Sequence, residues 1–297
     1  MDKIYTIRLP KLFDWKKLIS YLQREPNEIM YHVINNQYVR RAFELDDEIY
    51  LIEIQHTTSY LRIVLLNEVH SLKPIIKIID FIEEWFDINR ELMPFYEMAQ
   101  SDDILAPLLK RFYGLRLVGT PDFFEAISWG IFGQQINLSY AYTLKRRFTE
   151  KFGEKITYNG HDYWIYPKPE NIAKLTIEEL LSIKMTNRKA EYIKNIAGNI
   201  AQKNLSKDTL KKYENTSLAE KDMVQYRGLG PWTANYVLMN CLRMGDAFPD
   251  TDVGLINGLR AVKKINYNPD KDYLKQLKQR WGCWCGYATF YIWRVIY

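Results

Sequence analysis

The sequence predicts an α+β protein in which an antiparallel sheet with packed helices is followed by a helical region. Two observations lead to this prediction. Short runs of β-branched and aromatic residues, separated by turn residues, fill most of the first 70 residues. From about Ser71 the apolar residues recur at helical spacing. We place the boundary near residues 95–100, which gives an N-terminal α/β domain over 1–98 and a helical domain over 99–297.

The first third is expected to form a meander of strands with one helix packed on it. The run "IYTIRLP" opens it as a strand, and "DWKKLISYLQR" follows as a helix with Asp14 at its N-cap. Four further β-like runs come next: "IMYHVI", "YVRRAFEL", "IYLIEIQ" and "LRIVLLN". Asn35-Asn36 and Asp46-Asp47 lie between them as turn residues.

The remainder of the chain is expected to be helical. The run "IIKIIDFIEEWFDI" predicts one helix with Pro74 near its start, and "DDILAPLLKRFYGL" predicts another. From "PDFFEAISWGIFGQQI" onward we expect helices joined by short loops as far as the end. The sequence contains no evident internal repeat.

Composition excludes several classes of protein. The formal net charge of +5 is compatible with a polyanionic partner. No apolar run is long enough to span a bilayer, and the polar N-terminus does not resemble a signal peptide. Three cysteines cannot form a closed disulfide framework, which favours the reducing cytoplasm. The four histidines have no metal-ligand spacing, so we expect neither a metal nor a cofactor.

The most informative segment is "YRGLGPWTANYV". Gly228 and Gly230 permit a very short turn between two helices, and Leu229 can point inward to anchor it. The amides that follow, through Thr233, belong to a helix N-terminus and suit a phosphate oxygen. Taken alone, the Gly-Leu-Gly turn favours a plain corner without a ligand.

The neighbouring segments change that interpretation. "GLGPWTANYV" followed by "FPDTDVGL" resembles the helix–hairpin–helix DNA glycosylase superfamily, and more closely its alkylpurine branch, 3-methyladenine DNA glycosylase II. "FDWKKLISYL", "FEAISWGIFGQQI", "LLSIKMTNRKAEYIKNIA" and "RWGCWCGYATFYIWR" match further parts of that branch in order. The resemblance covers nearly the whole chain. It implies an all-α helix–hairpin–helix glycosylase region that acts on double-stranded DNA containing damaged bases.

The resemblance also implies a catalytic carboxylate. A glycosylase must stabilise a sugar that becomes oxocarbenium-like as the base leaves, and one ionised carboxylate can do so. Asp252 is the candidate because it lies 20 residues after Trp232 and begins "DVGL". Asp250 is its rival in "PDTD", and either aspartate could simply cap a helix.

Aromatic residues are expected to form the base pocket. Trp232 stands where strand-cutting relatives carry a lysine, so the resemblance implies a monofunctional enzyme without lyase activity. Trp232 and Tyr236 project from one helix face, and the resemblance adds Trp293 and Tyr21. Their faces would attract a cationic base such as 3-methyladenine or 7-methylguanine by about 0.5–2 kcal/mol each. The alternative for each residue is ordinary core packing.

The resemblance places Gln135 as the wedge that fills the gap left by an extruded base, with an exposed helix-tip glutamine as the alternative. Five basic residues are weaker candidates for phosphate contacts: Lys145, Arg146, Arg147, Arg188 and Lys189.

We therefore expect a monomeric glycosylase for alkylated purines in base excision repair, located in the cytoplasm at the nucleoid. A monovalent cation at the hairpin is expected when DNA is bound. The open alternatives are a glycosylase for 8-oxoguanine or a mismatched base, and a non-catalytic helix–hairpin–helix DNA-binding protein.

Overall fold

A five-stranded antiparallel sheet opens the chain in the computed structural model, which describes residues 4–296. The strands are β1 (Ile4–Arg8), β2 (His32–Ile34), β3 (Tyr38–Leu45), β4 (Glu48–His56) and β5 (Tyr60–Leu65). Their order in the sheet is β1-β5-β4-β3-β2. Asn35, Asn36, Asp46 and Asp47 all have positive φ angles, between 52° and 60°, which suit the tight turns on either side of β3. The predicted meander is confirmed.

Two helices pack on this sheet, α1 (Trp15–Leu22) and α2 (Ile75–Trp85). The Asp14 carboxylate caps α1 by accepting a 3.0 Å hydrogen bond from the amide of Lys17, as predicted. Pro74 precedes α2. Leu18 and Ile78 are at most 1% exposed, and burying each side chain contributes about 1.5–3 kcal/mol before the entropic cost of folding.

Helices make up most of the remaining chain. They are α3 (Met93–Gln100), α4 (Ala106–Phe112), α5 (Phe123–Phe132), α6 (Leu138–Phe152), α7 (Pro169–Lys174), α8 (Ile177–Leu181), α9 (Asn187–Ala201), α10 (Lys207–Leu210), α11 (Thr216–Met223), α12 (Pro231–Asn240), α13 (Val253–Lys263), α14 (Lys271–Trp281) and α15 (Cys285–Trp293). The α+β fold class is confirmed. Within residues 4–296 no helix has the length and apolar character needed to cross a membrane. The predicted domain boundary near residue 98 stays a prediction.

A second, two-stranded sheet interrupts the helices. It consists of β6 (Glu154–Tyr158) and β7 (His161–Ile165), so the expectation of helices alone in this region is wrong. Asn159 and Gly160 join the strands with φ angles of 48° and 75°, as a tight hairpin requires. Tyr163 and Ile165 of β7 pack against Ala42 and Leu51 of the first sheet, which supplies the apolar cover that an isolated hairpin lacks.

A buried ionic cluster joins the first sheet to the helices. Glu125 of α5 accepts hydrogen bonds from Arg41 of β3 at 3.1 Å and from Lys145 of α6 at 2.7 Å. Lys145 also donates to Glu28 at 2.7 Å. Burial by itself would raise the pKa of Glu125, but the two cations hold that pKa below its usual value. The cluster has two charges of each sign, so its members compensate one another.

Candidate active site

The Gly-Leu-Gly turn has the geometry that the sequence predicts. It connects α11 to α12, and Leu229 is only 5% exposed. Gly228 has a φ of +108°, and a Cβ built there would lie 2.7 Å from the Tyr192 ring. Both the backbone angle and the packing therefore require glycine at this position.

Gly230 is not required by the interior of the protein. It has an ordinary φ of −100°, and a Cβ built on it would meet no atom within 4 Å. The missing side chain thus leaves space on the outside of the turn, directly before the first amides of α12. Those amides lack intrahelical acceptors and carry partial positive charge. Thr233, the third residue of α12, is only 2% exposed, so its side chain is packed inside the protein.

The carboxylate of Asp252 is held by three donors. Its Oδ1 accepts the Leu255 amide at 2.6 Å, so Asp252 caps α13. Oδ1 also accepts the indole N–H of Trp293 at 2.7 Å. Oδ2 accepts the indole N–H of Trp232 at 2.7 Å. The rival Asp250 is exposed and is absent from the lining of the cavity described next.

The predicted aromatic residues line one cavity of about 560 Å³ together with Asp252. The rings of Trp232 and Tyr236 stack with centroids 5.6 Å apart, and Trp293 lies 6.5 Å from Tyr236. Tyr21 reaches the same cavity from α1 and packs 5.2 Å from Phe290. Four residues that are distant in sequence are thus brought together, although their roles toward a base stay predictions.

The cavity contains groups that the sequence analysis missed: Arg24, Trp129, Tyr142, Phe290 and Arg294. Arg24 lies three residues after Tyr21, so helical spacing could have placed it on the same face as that predicted pocket residue. Arg294 directly follows Trp293. Trp129 and Tyr142 pack 4.4 Å apart from α5 and α6, and no local pattern connects them.

Tyr142 and Tyr236 add two hydroxyl groups beside the aromatic cavity. Burial raises the pKa of Tyr142 to about 12 and that of Tyr236 well above its ordinary value, so both phenols stay protonated at neutral pH. A smaller cavity of about 50 Å³ lies next to them and reaches Glu28 and Lys145 of the ionic cluster. The aromatic cavity therefore borders a polar region with O–H donors.

The tip of α5 links the cavity to the hairpin. The Gln134 side chain donates a 2.9 Å hydrogen bond to the carbonyl of Gly228. Gln135 is exposed, lines the cavity and has a positive φ of 56°. Lys189 braces the same tip by donating to the carbonyl of Phe132 at 2.6 Å. This arrangement fixes where Gln135 projects relative to the hairpin.

Two of the five basic candidates do not face solvent. Lys145 is 6% exposed and belongs to the ionic cluster, and Lys189 is 7% exposed behind the α5 tip. The expectation that these two residues hold phosphates is wrong, because their ammonium groups are already bonded inside the protein. Arg188 remains exposed and donates to the Tyr192 hydroxyl at 2.6 Å.

Comparison with known proteins adds an independent observation. Residues 129–283 match the family model described as "HhH-GPD superfamily base excision DNA repair protein". The chain belongs to this superfamily. Residues 5–127 match a second model, the 8-oxoguanine DNA glycosylase N-terminal domain. The resemblance inferred from the sequence is confirmed.

Relatives and solved structures agree with this assignment. The DNA-3-methyladenine glycosylase of Bacillus subtilis (strain 168) is 44% identical over 300 residues, which cover 100% of this chain and 98% of that protein. DNA-3-methyladenine glycosylase 2 of Escherichia coli (strain K12) is 26% identical over 61% of this chain and 60% of its own. The structure of a 3-methyladenine DNA-glycosylase from Archaeoglobus fulgidus has a TM-score of 0.81 at 24% identity, covering 97% of each chain.

A further structural neighbour is named for a different activity. An 8-oxoguanine glycosylase/lyase from Clostridium acetobutylicum, solved with double-stranded DNA, has a TM-score of 0.76 at 17% identity and covers 99% of this chain and 97% of its own. At this identity the match concerns the fold alone. The chain is a member of a glycosylase enzyme family, and its substrate must be argued from the site.

Proposed function

We propose that this protein is a monofunctional DNA glycosylase that releases alkylated purines, of the 3-methyladenine and 7-methylguanine type, from duplex DNA. The observation that carries the proposal is the Asp252 carboxylate, held by two indole N–H groups in an aromatic cavity. A relative that is 44% identical over the whole chain and carries the name DNA-3-methyladenine glycosylase supports the same substrate class.

The hydrogen bonds of Asp252 indicate which oxygen does the chemistry. A carboxylate oxygen accepts about two hydrogen bonds, and Oδ1 already accepts two, from Leu255 and Trp293. Oδ2 accepts one, from Trp232, and keeps one free position. We infer that Oδ2 faces the sugar, stabilises the positive charge that develops at C1′ and accepts a proton from the attacking water. The products are the free base and an abasic site.

The cavity wall supports recognition of a purine by its faces. Trp232, Tyr236 and Trp293 can contact the base, and electron-rich faces attract a cation by about 0.5–2 kcal/mol each. Arg24 and Arg294 line the same cavity and oppose a cationic base, whereas Asp252 favours it.

A second candidate substrate follows from two tyrosine hydroxyl groups beside the cavity. The phenol O–H groups of Tyr142 and Tyr236 could donate to a carbonyl of a neutral lesion such as 8-oxoguanine or a mismatched base. Excision confined to such neutral bases would favour this alternative over the alkylated purines.

The absence of lyase activity is part of the proposal. A Schiff base requires an unprotonated lysine beside the sugar. Trp232 occupies the expected lysine position, and among the described residues no lysine lines the aromatic cavity. Lys145 lies behind it, but the carboxylates of Glu125 and Glu28 outweigh burial and raise its pKa, so it stays protonated.

The remaining parts of the proposal concern DNA binding. Gln135 would fill the gap left by the extruded base, and the backbone of Gly228, Leu229, Gly230 and Thr233 would contact phosphate. We further propose that the protein acts as a monomer on cytoplasmic DNA at the nucleoid. The hairpin carbonyls would bind a monovalent cation once DNA is present.

Base release from methylated duplex DNA tests the proposal, with products identified by mass. Wild type should release 3-methyladenine and 7-methylguanine. Asp252→Asn should lose at least about 100-fold in rate, because an amide carries no charge to stabilise the sugar cation. Asp250→Asn is the matched control and should keep wild-type activity. A fully active Asp252→Asn variant would contradict the catalytic assignment, and tight DNA binding without any release would favour the non-catalytic alternative.

A further inference from the structure

Two arginines, Arg24 and Arg294, line the cavity beside Tyr21. The guanidinium carbon of Arg24 lies 3.7 Å from the ring centroid of Tyr21, and that of Arg294 lies 5.1 Å from the same centroid. Burial lowers the pKa of Arg294, and the charges of Arg24 and Arg111 lower it further. Within residues 4–296, Arg24, Arg111 and Arg294 form no ion pair with a carboxylate, whereas several other arginines do. The cluster thus has an excess of positive charge.

Arg24 is held in place by uncharged groups alone. Its Nη1 donates to the Tyr21 carbonyl at 2.8 Å, and its Nη2 donates to the Tyr142 hydroxyl at 3.0 Å. A guanidinium has five N–H donors, so three remain free. The residue is exposed, and its ring contact with Tyr21 fixes the plane of the fork. A planar fork that is already ordered suits two oxygens of one phosphate.

Arg24 lines the aromatic cavity and also an outer groove of about 680 Å³. The groove runs over the start of α6, at Leu138 and Ser139, where free amides add partial positive charge. Glu25 also lines the groove, but its carboxylate accepts the Asn27 amide at 3.0 Å. A nucleotide that enters the cavity from duplex DNA brings its flanking phosphates past this mouth.

We propose that Arg24, with Arg294 beside it, binds a phosphate of the lesion strand next to the extruded nucleotide. The N-terminal α/β domain would then take part in DNA binding, in addition to the hairpin. This inference rests on the proposed function, because it requires an extruded nucleotide. Phosphate, rather than the base, is the ligand because Arg24 is exposed and lines the outer groove as well as the cavity.

Binding to a duplex with a tetrahydrofuran abasic-site analogue tests the inference without catalysis. Anisotropy titrations over a series of salt concentrations should show Arg24→Gln binding about tenfold more weakly than wild type, with a salt slope reduced by about one. On undamaged duplex the two proteins should bind alike. Arg8→Gln removes an exposed arginine from β1 of the same domain and should change neither quantity. Arg24→Lys should restore the salt slope but only part of the affinity, since it keeps the charge and loses the fork.

A neutral methylphosphonate at each phosphate flanking the analogue identifies the partner. At one of these positions the methylphosphonate should weaken wild-type binding about as much as Arg24→Gln weakens binding to unmodified DNA. The same methylphosphonate should not weaken the binding of Arg24→Gln any further. Equal affinity and slope for Arg24→Gln and wild type would overturn the inference. The inference would also be overturned if Arg24→Gln released a different set of bases while its salt slope stayed unchanged, because Arg24 would then contact the base. Failure of the wild type itself to prefer the analogue duplex would instead contradict the proposed function.

Discussion

The two indole N–H groups on Asp252 should contribute unequally to catalysis. Trp232 is the sole donor to Oδ2, whereas Trp293 shares Oδ1 with the Leu255 amide. Replacing either tryptophan by phenylalanine removes the N–H but keeps an aromatic face for the base. Trp232→Phe leaves Oδ2 without a donor, so this oxygen can rotate away from the sugar. Trp293→Phe leaves Oδ1 capped by the helix.

The magnitude follows from the kind of hydrogen bond. A hydrogen bond to a charged group contributes about 1.5–3 kcal/mol. At about 1.4 kcal/mol per tenfold in rate, Trp232→Phe should lower kcat by roughly 10- to 100-fold. Trp293→Phe should lower kcat less than tenfold, because the Leu255 amide still orients the carboxylate. KM should change less than kcat in both variants, since the ring remains available for stacking.

Single-turnover and steady-state release of 7-methylguanine from a defined duplex measures both effects. Trp164→Phe is the matched control, because Trp164 lies in β7, is not among the residues lining the cavity and should leave both constants unchanged. The reasoning would be refuted by a Trp232→Phe variant with kcat within twofold of wild type. It would also fail if Trp293→Phe lost more kcat than Trp232→Phe.

Further predictions concern the hairpin and the ionic cluster. Gly230→Ala should leave the unfolding free energy within about 0.5 kcal/mol of wild type yet weaken DNA binding about tenfold. Gly228→Ala should instead lower the free energy of unfolding in urea by about 2 kcal/mol, because Gly228 has a φ of +108° and packs against Tyr192. Unchanged DNA binding by Gly230→Ala would remove the hairpin from the interface. Glu125→Ala should cost about 3–5 kcal/mol, because buried Arg41 then has no carboxylate partner and Lys145 keeps only Glu28. The exposed Glu150→Ala should cost under about 1 kcal/mol. Because the pKa of Glu125 is lowered in the fold, its contribution is present above pH ~4.3 and is lost as the pH falls through the lower folded pKa. A wild-type protein that matches Glu125→Ala in stability at neutral pH would contradict both statements.

Most of the fold could be predicted because local patterns carried it. The β-meander followed from alternating runs separated by Asn35-Asn36 and Asp46-Asp47, whose positive φ angles the structure confirms. The hairpin of β6 and β7 was missed although Asn159-Gly160 is a strong turn signal. Its strands contain charged and aromatic residues in a helical context, and contact with Ala42 and Leu51 of the first sheet, which is distant in sequence, helps to stabilise them as strands.

The candidate site could be predicted in part. Asp252, Trp232, Tyr236, Trp293 and Tyr21 were found from motif positions, and the structure brings all of them to one cavity. The sequence left Asp252 and Asp250 as rivals. The structure distinguishes their surroundings, because Asp252 accepts two indole N–H groups and Asp250 is exposed.

The sequence by itself determined most of the element types, apart from β6 and β7, together with the tight turn at Gly228 and the residue types that a glycosidic cavity needs. These depend on local backbone geometry and short spacing, which neighbouring residues encode. The tertiary structure alone decided which oxygen of Asp252 stays free, that Lys145 and Lys189 are buried, and that Arg24 meets Arg294 across Tyr21. Each of these facts is a contact between segments far apart in the chain, and such contacts exist only after the helices and the sheet have packed together.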